Sequence, residues 1–399
     1  MDKIDKKIRG YALKNALAHE GEAKQGSVIS AMFNEGMKKD DVKTYKIIAD
    51  IVKDVNSMPI EDQQREFEEL QTLLSERTER EGLPELPDVP KTGVIMRFAP
   101  AASGPMHLGH AITGMPNSLY VKKYGGKFYL RIEDTNPEKA FKDCYKTFKE
   151  DCDWLFGNVA EYIIQSNRMD FYYKYSEKLI TQGDAYICTC SQEEFKNHAD
   201  KKENCPCREK TIKDNEEDWK KMLDKHGFKE GEAVLRFKSN MNDPNPAMRD
   251  FPLARINLQE HPLQKKKYRV WPLMNLSVTV DDIEYGMTHI IRAKEHMDNS
   301  KRQELIYKAL GKKFPWTFFM GRIKFTDLPL SKRKIVAAIE SGEFEGWNDI
   351  RLPTLSALRK RGYKPEAFAK LAEKRGLSDV DKVMESKDLF RLLDEFNKV

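Results

Sequence analysis

Val94-Ile95-Met96-Arg97-Phe98, then Ala99-Pro100-Ala101-Ala102-Ser103-Gly104-Pro105, then His107-Leu108-Gly109-His110: this stretch decides the fold. The first run is short and apolar, as a buried strand is, and the second is rich in turn formers. From 111 to about 124 the chain reads as a helix. The unit is therefore strand, loop and helix, with two imidazoles one turn apart where the helix starts. A helix N-terminus presents unpaired N–H groups and a partial positive charge, so anions settle there. His107 and His110 add donors, neutral or cationic, that reach phosphate oxygens. Gly109 lies between them and has no Cβ to obstruct a flat ring approaching the backbone. The combination fits a nucleotide whose phosphates need stabilising while a bond breaks.

Beyond this unit, strands and helices alternate from Thr92 onward, which predicts a parallel sheet covered by helices. Residues 127–132 read as a second strand. Pro137 opens a helix, a position where proline is tolerated. In that helix Phe141, Tyr145 and Phe148 fall on one side, with Cys144 and Cys152 as buried thiols. A further helix runs from about 168 to 182. Residues 185–265 break the pattern with turn formers, charge and cysteines; alternation resumes near Tyr268, with a strand at 287–292. After Lys334 the chain reads as helical to its end. The first 90 residues are helical too, with one apolar stripe through Phe67, Leu70, Leu73 and Leu74 and a linker marked by Pro84, Pro87 and Pro90. The expected division is 1–90, 91–184, 185–265, 266–330 and 331–399.

Ligands of open α/β sheets sit at the carboxyl ends of strands. Arg97, Glu133 and Arg292 fall at such ends. A second basic signal, Leu330-Ser331-Lys332-Arg333-Lys334, follows a strand-like run and a turn at Pro329. Alone it reads as solvated surface. Beside the histidine motif it reads as a mobile lysine that closes over a triphosphate. Cys188-Thr189-Cys190 and Cys205-Pro206-Cys207 supply four thiols in two pairs, which favours a closed structural zinc site over disulfides. His198 lies on the intervening loop in this reading, as a substitute ligand at most.

The net charge of +5 over 399 residues is modest. Its distribution is more telling: Arg351, Arg359, Lys360, Arg361, Lys364, Lys370, Lys374 and Arg375 face only Glu366 and Glu373, an excess suited to phosphate contacts. No run of about 18 apolar residues exists to span a membrane, and the N-terminus lacks a secretory core, so a cytoplasmic protein is expected.

The chain resembles the class I aminoacyl-tRNA synthetases, in particular the archaeal-type glutamyl-tRNA synthetases. The resemblance rests on Arg97-Phe98-Ala99-Pro100, Ser103-Gly104, His107 to His110, Gly125-Gly126-Lys127-Phe128 and Arg131-Ile132-Glu133-Asp134-Thr135-Asn136-Pro137. Later come Val280-Asp281-Asp282, Gly286 through Arg292, and Arg351-Leu352-Pro353-Thr354-Leu355 with Arg359-Lys360-Arg361-Gly362. It implies a Rossmann-like catalytic domain split by a zinc-containing insertion that meets the tRNA acceptor arm, flanked by a helical N-terminal extension and a helical connective domain. It implies ATP-dependent ligation of glutamate to tRNA through a glutamyl-adenylate, with Mg²⁺ accompanying ATP. It assigns Arg97, Ala99, Glu133 and Arg292 to glutamate, with the two arginines toward its carboxylates and Glu133 toward its ammonium. Ser103, Gly104, His107, Gly109, His110, Leu330, Ser331 and Lys332 fall to ATP, and His107, His110 and Lys332 to charge stabilisation. Zn²⁺ falls to Cys188, Cys190, Cys205 and Cys207.

Three departures stand out. Pro329 replaces the first lysine of the usual Lys-x-Ser-Lys loop, Met274 stands where many relatives have a tyrosine, and Ile283 follows the acidic pair in place of histidine. The family continues into β-barrels that read the anticodon, whereas this sequence stops at Val399 in helical sequence. Direct anticodon reading is therefore not expected, and tRNA choice would rest on the acceptor arm or on a separate anticodon-binding partner. Two alternatives remain: a short paralogue loading glutamate onto another acceptor, and an inactive tRNA- or protein-binding module.

Overall fold

The computed structural model describes residues 3–38, 41–75, 82–327 and 332–398, with backbone only for 3 and 332–334. By packing, the chain divides into two compact units, Met1–Glu79 and Arg80–Val399. In the first unit the described residues form four α-helices, α1 (Lys3–Leu17), α2 (Gln25–Asn34), α3 (Val42–Asn56) and α4 (Ile60–Leu70). Its core is Ile8, Leu13, Val28, Met32, Ile48, Val52 and Val55. Of the foreseen stripe, Phe67 and Leu70 pack against that core.

The second unit begins with β1 (Val94–Phe98), α5 (Leu108–Tyr124), β2 (Gly126–Ile132), α6 (Cys144–Leu155), β3 (Val159–Ile164) and α7 (Met169–Thr181). β1, β2 and β3 pair in parallel. Gly126, at φ +109°, is required here, because a Cβ would lie 2.0 Å from the Val94 carbonyl oxygen. Pro137 does not open a helix. It sits in a turn, and α6 starts only at Cys144. The chain first uses Asn136 to close that turn, its carbonyl accepting from Lys139 and Ala140 N–H. The foreseen packing of Cys144, Phe148 and Cys152 holds, all three being fully buried.

An antiparallel sheet follows, β4 (Ala185–Cys188), β5 (Val234–Phe237), β6 (Pro252–Ile256) and β7 (Val270–Pro272), with α8 (Gln192–Lys201) and α9 (Ile212–Leu223) between β4 and β5. Its core, around Trp271, Leu235 and Trp219, is shared with α7 and with the next helix, α10 (Met274–Glu284). His198 therefore lies on α8 rather than on a loop.

Then β8 (His289–Ala293), α11 (Met297–Ala309) and β9 (Trp316–Met320) resume the parallel pattern. β8 lies beside β1, where Thr288 N–H donates to Ile95 O at 3.0 Å, so the parallel strands run in the order β3-β2-β1-β8-β9. The final segment contains β10 (Ile323–Phe325), α12 (Lys332–Glu340), α13 (Leu355–Lys360), α14 (Pro365–Arg375), β11 (Lys382–Met384) and α15 (Ser386–Asn397). It is not wholly helical: β11 pairs in parallel with β10, using backbone groups that β10 would otherwise leave unpaired. No helix of the described residues is long and apolar enough to cross a membrane.

Candidate active site

Neighbouring strands β1, β2 and β8 bring Arg97, Glu133 and Arg292 to their carboxyl ends. Past β1 the ladder continues irregularly. Glu133 N–H donates to Pro100 O at 3.1 Å, Ala102 N–H to Glu133 O at 3.0 Å, and Ala101 bridges Glu133. This pairing sets Pro100, Ala101 and Ala102 against Glu133, with Ala99 before them in the chain and Ser103 and Gly104 after them.

His107 caps α5 and His110 is its third residue. Gly109 N–H donates to His107 Nδ1 and His107 N–H to His110 Nδ1, each at 3.1 Å. The rings stack at 3.9 Å between centroids. Since both Nδ1 atoms accept, the hydrogen-bond network assigns the proton of each ring to Nε2. Burial holds both imidazoles neutral: His107 is pushed down to about 4, and His110 falls well below its ordinary value, the neighbouring His107 adding to burial. They are neutral donors, not cations.

The first N–H groups of α5 are already used. Leu108 N–H bonds Pro353 O at 2.9 Å, Gly109 N–H the His107 ring, and His110 N–H the His107 carbonyl at 2.8 Å. The expectation of unpaired N–H groups for an anion is thus corrected: the first three are taken, while the imidazole Nε2–H groups carry no hydrogen bond among the described residues. Gly109 also makes room for the His107 ring, since a Cβ there would lie 3.0 Å from Cε1 and 3.1 Å from Nδ1 of His107. Gly109→Ala is expected to dislodge that ring and cost about 1 kcal/mol of stability, the worth of a helix cap. Denaturant titration reads the loss, and an unchanged midpoint would show that the ring tolerates the methyl group.

Residues 353–355 clamp this motif from the other side, a contact that no local spacing encodes. His107 bridges Thr354, and Leu355 N–H donates to Met106 O at 2.9 Å. Leu352, two residues before Thr354, packs with Ile335 of α12. Leu330 and Ser331 lie outside the described residues, as does the side chain of Lys332, the first residue of α12.

Around the ends of β1 and β2 lies a buried ionic network. Asp282 receives Arg97 Nε and Nη2, both at 3.0 Å, and Arg131 Nη1 at 2.5 Å. Arg131 Nη2 reaches Glu133 at 3.1 Å, which orients the carboxylate assigned to the substrate ammonium. Asp281 accepts from Arg168 Nε at 2.7 Å, Gln165 at 2.8 Å and the Tyr172 hydroxyl. Despite burial, Arg97 and Arg131 hold Asp282 down at about 2. Two of the three Arg97 nitrogens are thus committed to Asp282. Arg292 differs: among the described residues no carboxylate pairs with it, and its Nη1 bonds only Ser300 at 3.1 Å and Gln303 at 2.8 Å. Burial, reinforced by Arg97, lowers its pKa to about 9.

A family model described as tRNA synthetases class I (E and Q), catalytic domain, matches residues 93–395. The chain belongs to the class I tRNA synthetases. Among its relatives within that class, a glutamate–tRNA ligase of Methanothermobacter thermautotrophicus is 42% identical over 98% of this chain and 70% of the relative. One of Methanocaldococcus jannaschii is 40% identical over the same shares. The fold is similar to that of a glutamate–tRNA synthetase from Elizabethkingia anophelis, at a TM-score of 0.55 and 20% identity over 77% of this chain and 71% of that one. A glutamate tRNA ligase from Elizabethkingia meningosepticum, solved with its amino acid, gives 0.53 and 20% over 76% and 69%.

In this class I synthetase the four foreseen cysteines converge. Cys188, Cys190, Cys205 and Cys207 have their sulfurs within 4.8 Å of one another, and all four are free. Cys188–Cys205 and Cys190–Cys207 are 3.9 and 3.7 Å apart. Four Zn–S bonds of about 2.3 Å in a tetrahedron put sulfurs about 3.8 Å apart, whereas a disulfide requires about 2.05 Å. The basic run of the synthetase is partly consumed within the chain: Arg351 pairs with Asp349, Arg361 covers Phe390, and Arg375 donates to Gly321 O.

Proposed function

We propose that the chain ligates glutamate to tRNA using ATP, through a glutamyl-adenylate. The observation that carries this reading is Arg292, a buried guanidinium whose described partners are neutral, at the end of β8, together with an imidazole pair at the start of α5 whose Nε2–H groups are free for phosphate oxygens. The glutamate α-carboxylate attacks the α-phosphate of ATP and pyrophosphate leaves. A terminal ribose hydroxyl of tRNA then attacks the anhydride carbonyl, and AMP leaves. Neither step needs a covalent enzyme intermediate, so positioning and charge stabilisation carry the rate.

His107 and His110 donate to the phosphates as negative charge shifts toward pyrophosphate. Ser103 and Gly104 border ATP. Arg292 receives the side-chain carboxylate of glutamate, Glu133 its ammonium, and the remaining Nη1 edge of Arg97 serves the α-carboxylate. Lys332 is assigned to the same triphosphate, because α12 is anchored through Ile335 on Leu352, next to the Thr354 that pairs with His107. Mg²⁺ would accompany ATP and offset the negative charge of its phosphates.

The test is glutamate-dependent ATP–pyrophosphate exchange with tRNA present, followed by transfer to tRNA. Activity is expected with glutamate. Well-folded protein that exchanges nothing would overturn the reading in favour of a binding module, and exchange without transfer to any tRNA would favour another acceptor.

Zn²⁺ fits the four thiolates and would hold β4 to the turn carrying Cys205 and Cys207, with no part in the chemistry. We assign the antiparallel arm it braces to the acceptor end of tRNA. One zinc per chain is expected by elemental analysis, falling to none in the Cys205→Ser/Cys207→Ser double variant. Metal-free native protein containing disulfides would refute the site.

A further inference from the structure

We propose that Gln303, assisted by Ser300, is a positioning residue that sets the enzyme's demand for an anionic amino-acid side chain. It does so by holding Arg292 through neutral oxygens, which fix the guanidinium without cancelling its charge. The proposal rests on the reading that Arg292 faces the side-chain carboxylate of the substrate.

The charge pattern around the site carries the argument. Among the described residues four guanidiniums, of Arg97, Arg131, Arg168 and Arg292, gather with three carboxylates, of Glu133 and of Asp281 and Asp282 on α10. The first three arginines each hold a carboxylate. The surplus positive charge therefore resides on Arg292, only 7% exposed. A buried charge needs hydrogen bonds to remain in place, and a carboxylate would be the strongest available. Here α11 supplies a serine hydroxyl and an amide oxygen instead, from residues 4% and 1% exposed. An arginine only donates, so Gln303 must present Oε1 to it. Its Nε2 then faces Asn275 Oδ1 at 3.4 Å, which fixes the amide from behind. The Arg292 Nε is buried and has no partner, an unfilled donor suited to an incoming anion.

A carboxylate at 303 would reach the same Nη1, neutralise the pocket and repel a second carboxylate. Gln303→Glu is therefore expected to raise the KM for glutamate by at least about 100-fold, since opposing a buried charge contact has effects of that order. The KM for ATP should stay within about threefold, and glutamine should gain relative to glutamate. Gln303→Met, which keeps the bulk but drops the acceptor, should raise the glutamate KM by about 10- to 100-fold, the worth of one hydrogen bond to a charged group. Exchange kinetics with glutamate and glutamine, alongside melting curves, read both variants.

A merely structural role would lower kcat and stability while leaving the glutamate-to-glutamine ratio unchanged, and that outcome overturns the proposal. If Gln303→Glu fails to fold, the Met variant decides by the same KM split. An inactive wild type would instead defeat the functional reading, whereas active wild type with an unaltered glutamate KM in either folded variant defeats only this proposal.

Discussion

His110→Ala is expected to slow glutamate-dependent exchange by about 100- to 1,000-fold while leaving the glutamate KM within a few-fold. Removing one preorganised donor from developing negative charge typically costs about 2.7–4 kcal/mol of barrier. The His110 ring has one nitrogen tied to the backbone of His107 and the other protonated and free, so its donor is fixed before ATP arrives. The substitution also removes a capping acceptor, a loss of about 1 kcal/mol in stability. Barrier and stability are measured separately, by exchange kinetics and by denaturation. The pH profile adds a check on charge. Because burial keeps both rings below their ordinary pKa, they remain neutral from about pH 5 upward, and their protonation should produce no inflection in kcat near 6.5. A rate loss under about fivefold would remove His110 from the phosphate-binding machinery.

Asp282→Ala should cost about 3–5 kcal/mol of folding stability, because it strands two buried guanidiniums at once. Arg97 and Arg131 both rest on this carboxylate, and Arg131 in turn orients Glu133. Against a total stability of about 5–15 kcal/mol the loss is large, and exchange activity should vanish with it. The pH sign follows from the depressed pKa of about 2 in the folded chain. The unfolded chain takes up its proton first as pH falls, near the ordinary carboxylate value of about 3.9. Asp282 therefore contributes its full stability above about pH 4 and loses it as pH falls toward 2. Urea titrations at pH 7 and pH 3 should show the variant's deficit shrinking in acid. A deficit under about 1 kcal/mol at pH 7 would mean the network relaxes around the missing charge.

The parts of this protein legible from its residues are those whose signal is local. The histidine motif, the alternation of strand and helix, and the buried thiols of Cys144 and Cys152 follow from spacing and polarity within short windows. So did the convergence of four cysteines, whose pairing in two tight Cys-x-Cys units leaves few geometries. Local cues failed at Pro137, where a turn competes with helix initiation for the same residue. They failed again at β11, since a three-residue strand exists only because β10 offers it a partner.

By its own pattern, then, the chain specifies a parallel nucleotide-binding sheet, an imidazole pair at the start of α5, and arginines at strand ends. Which donors are free was decided by tertiary contacts. Thr354 and Pro353 arrive from about 250 residues away to occupy the start of α5, Asp282 engages most of Arg97, and Gln303 and Ser300 leave Arg292 charged. Hydrogen bonds and charge compensation join residues by distance in space. No periodicity along a sequence encodes which distant partner will neutralise a given side chain.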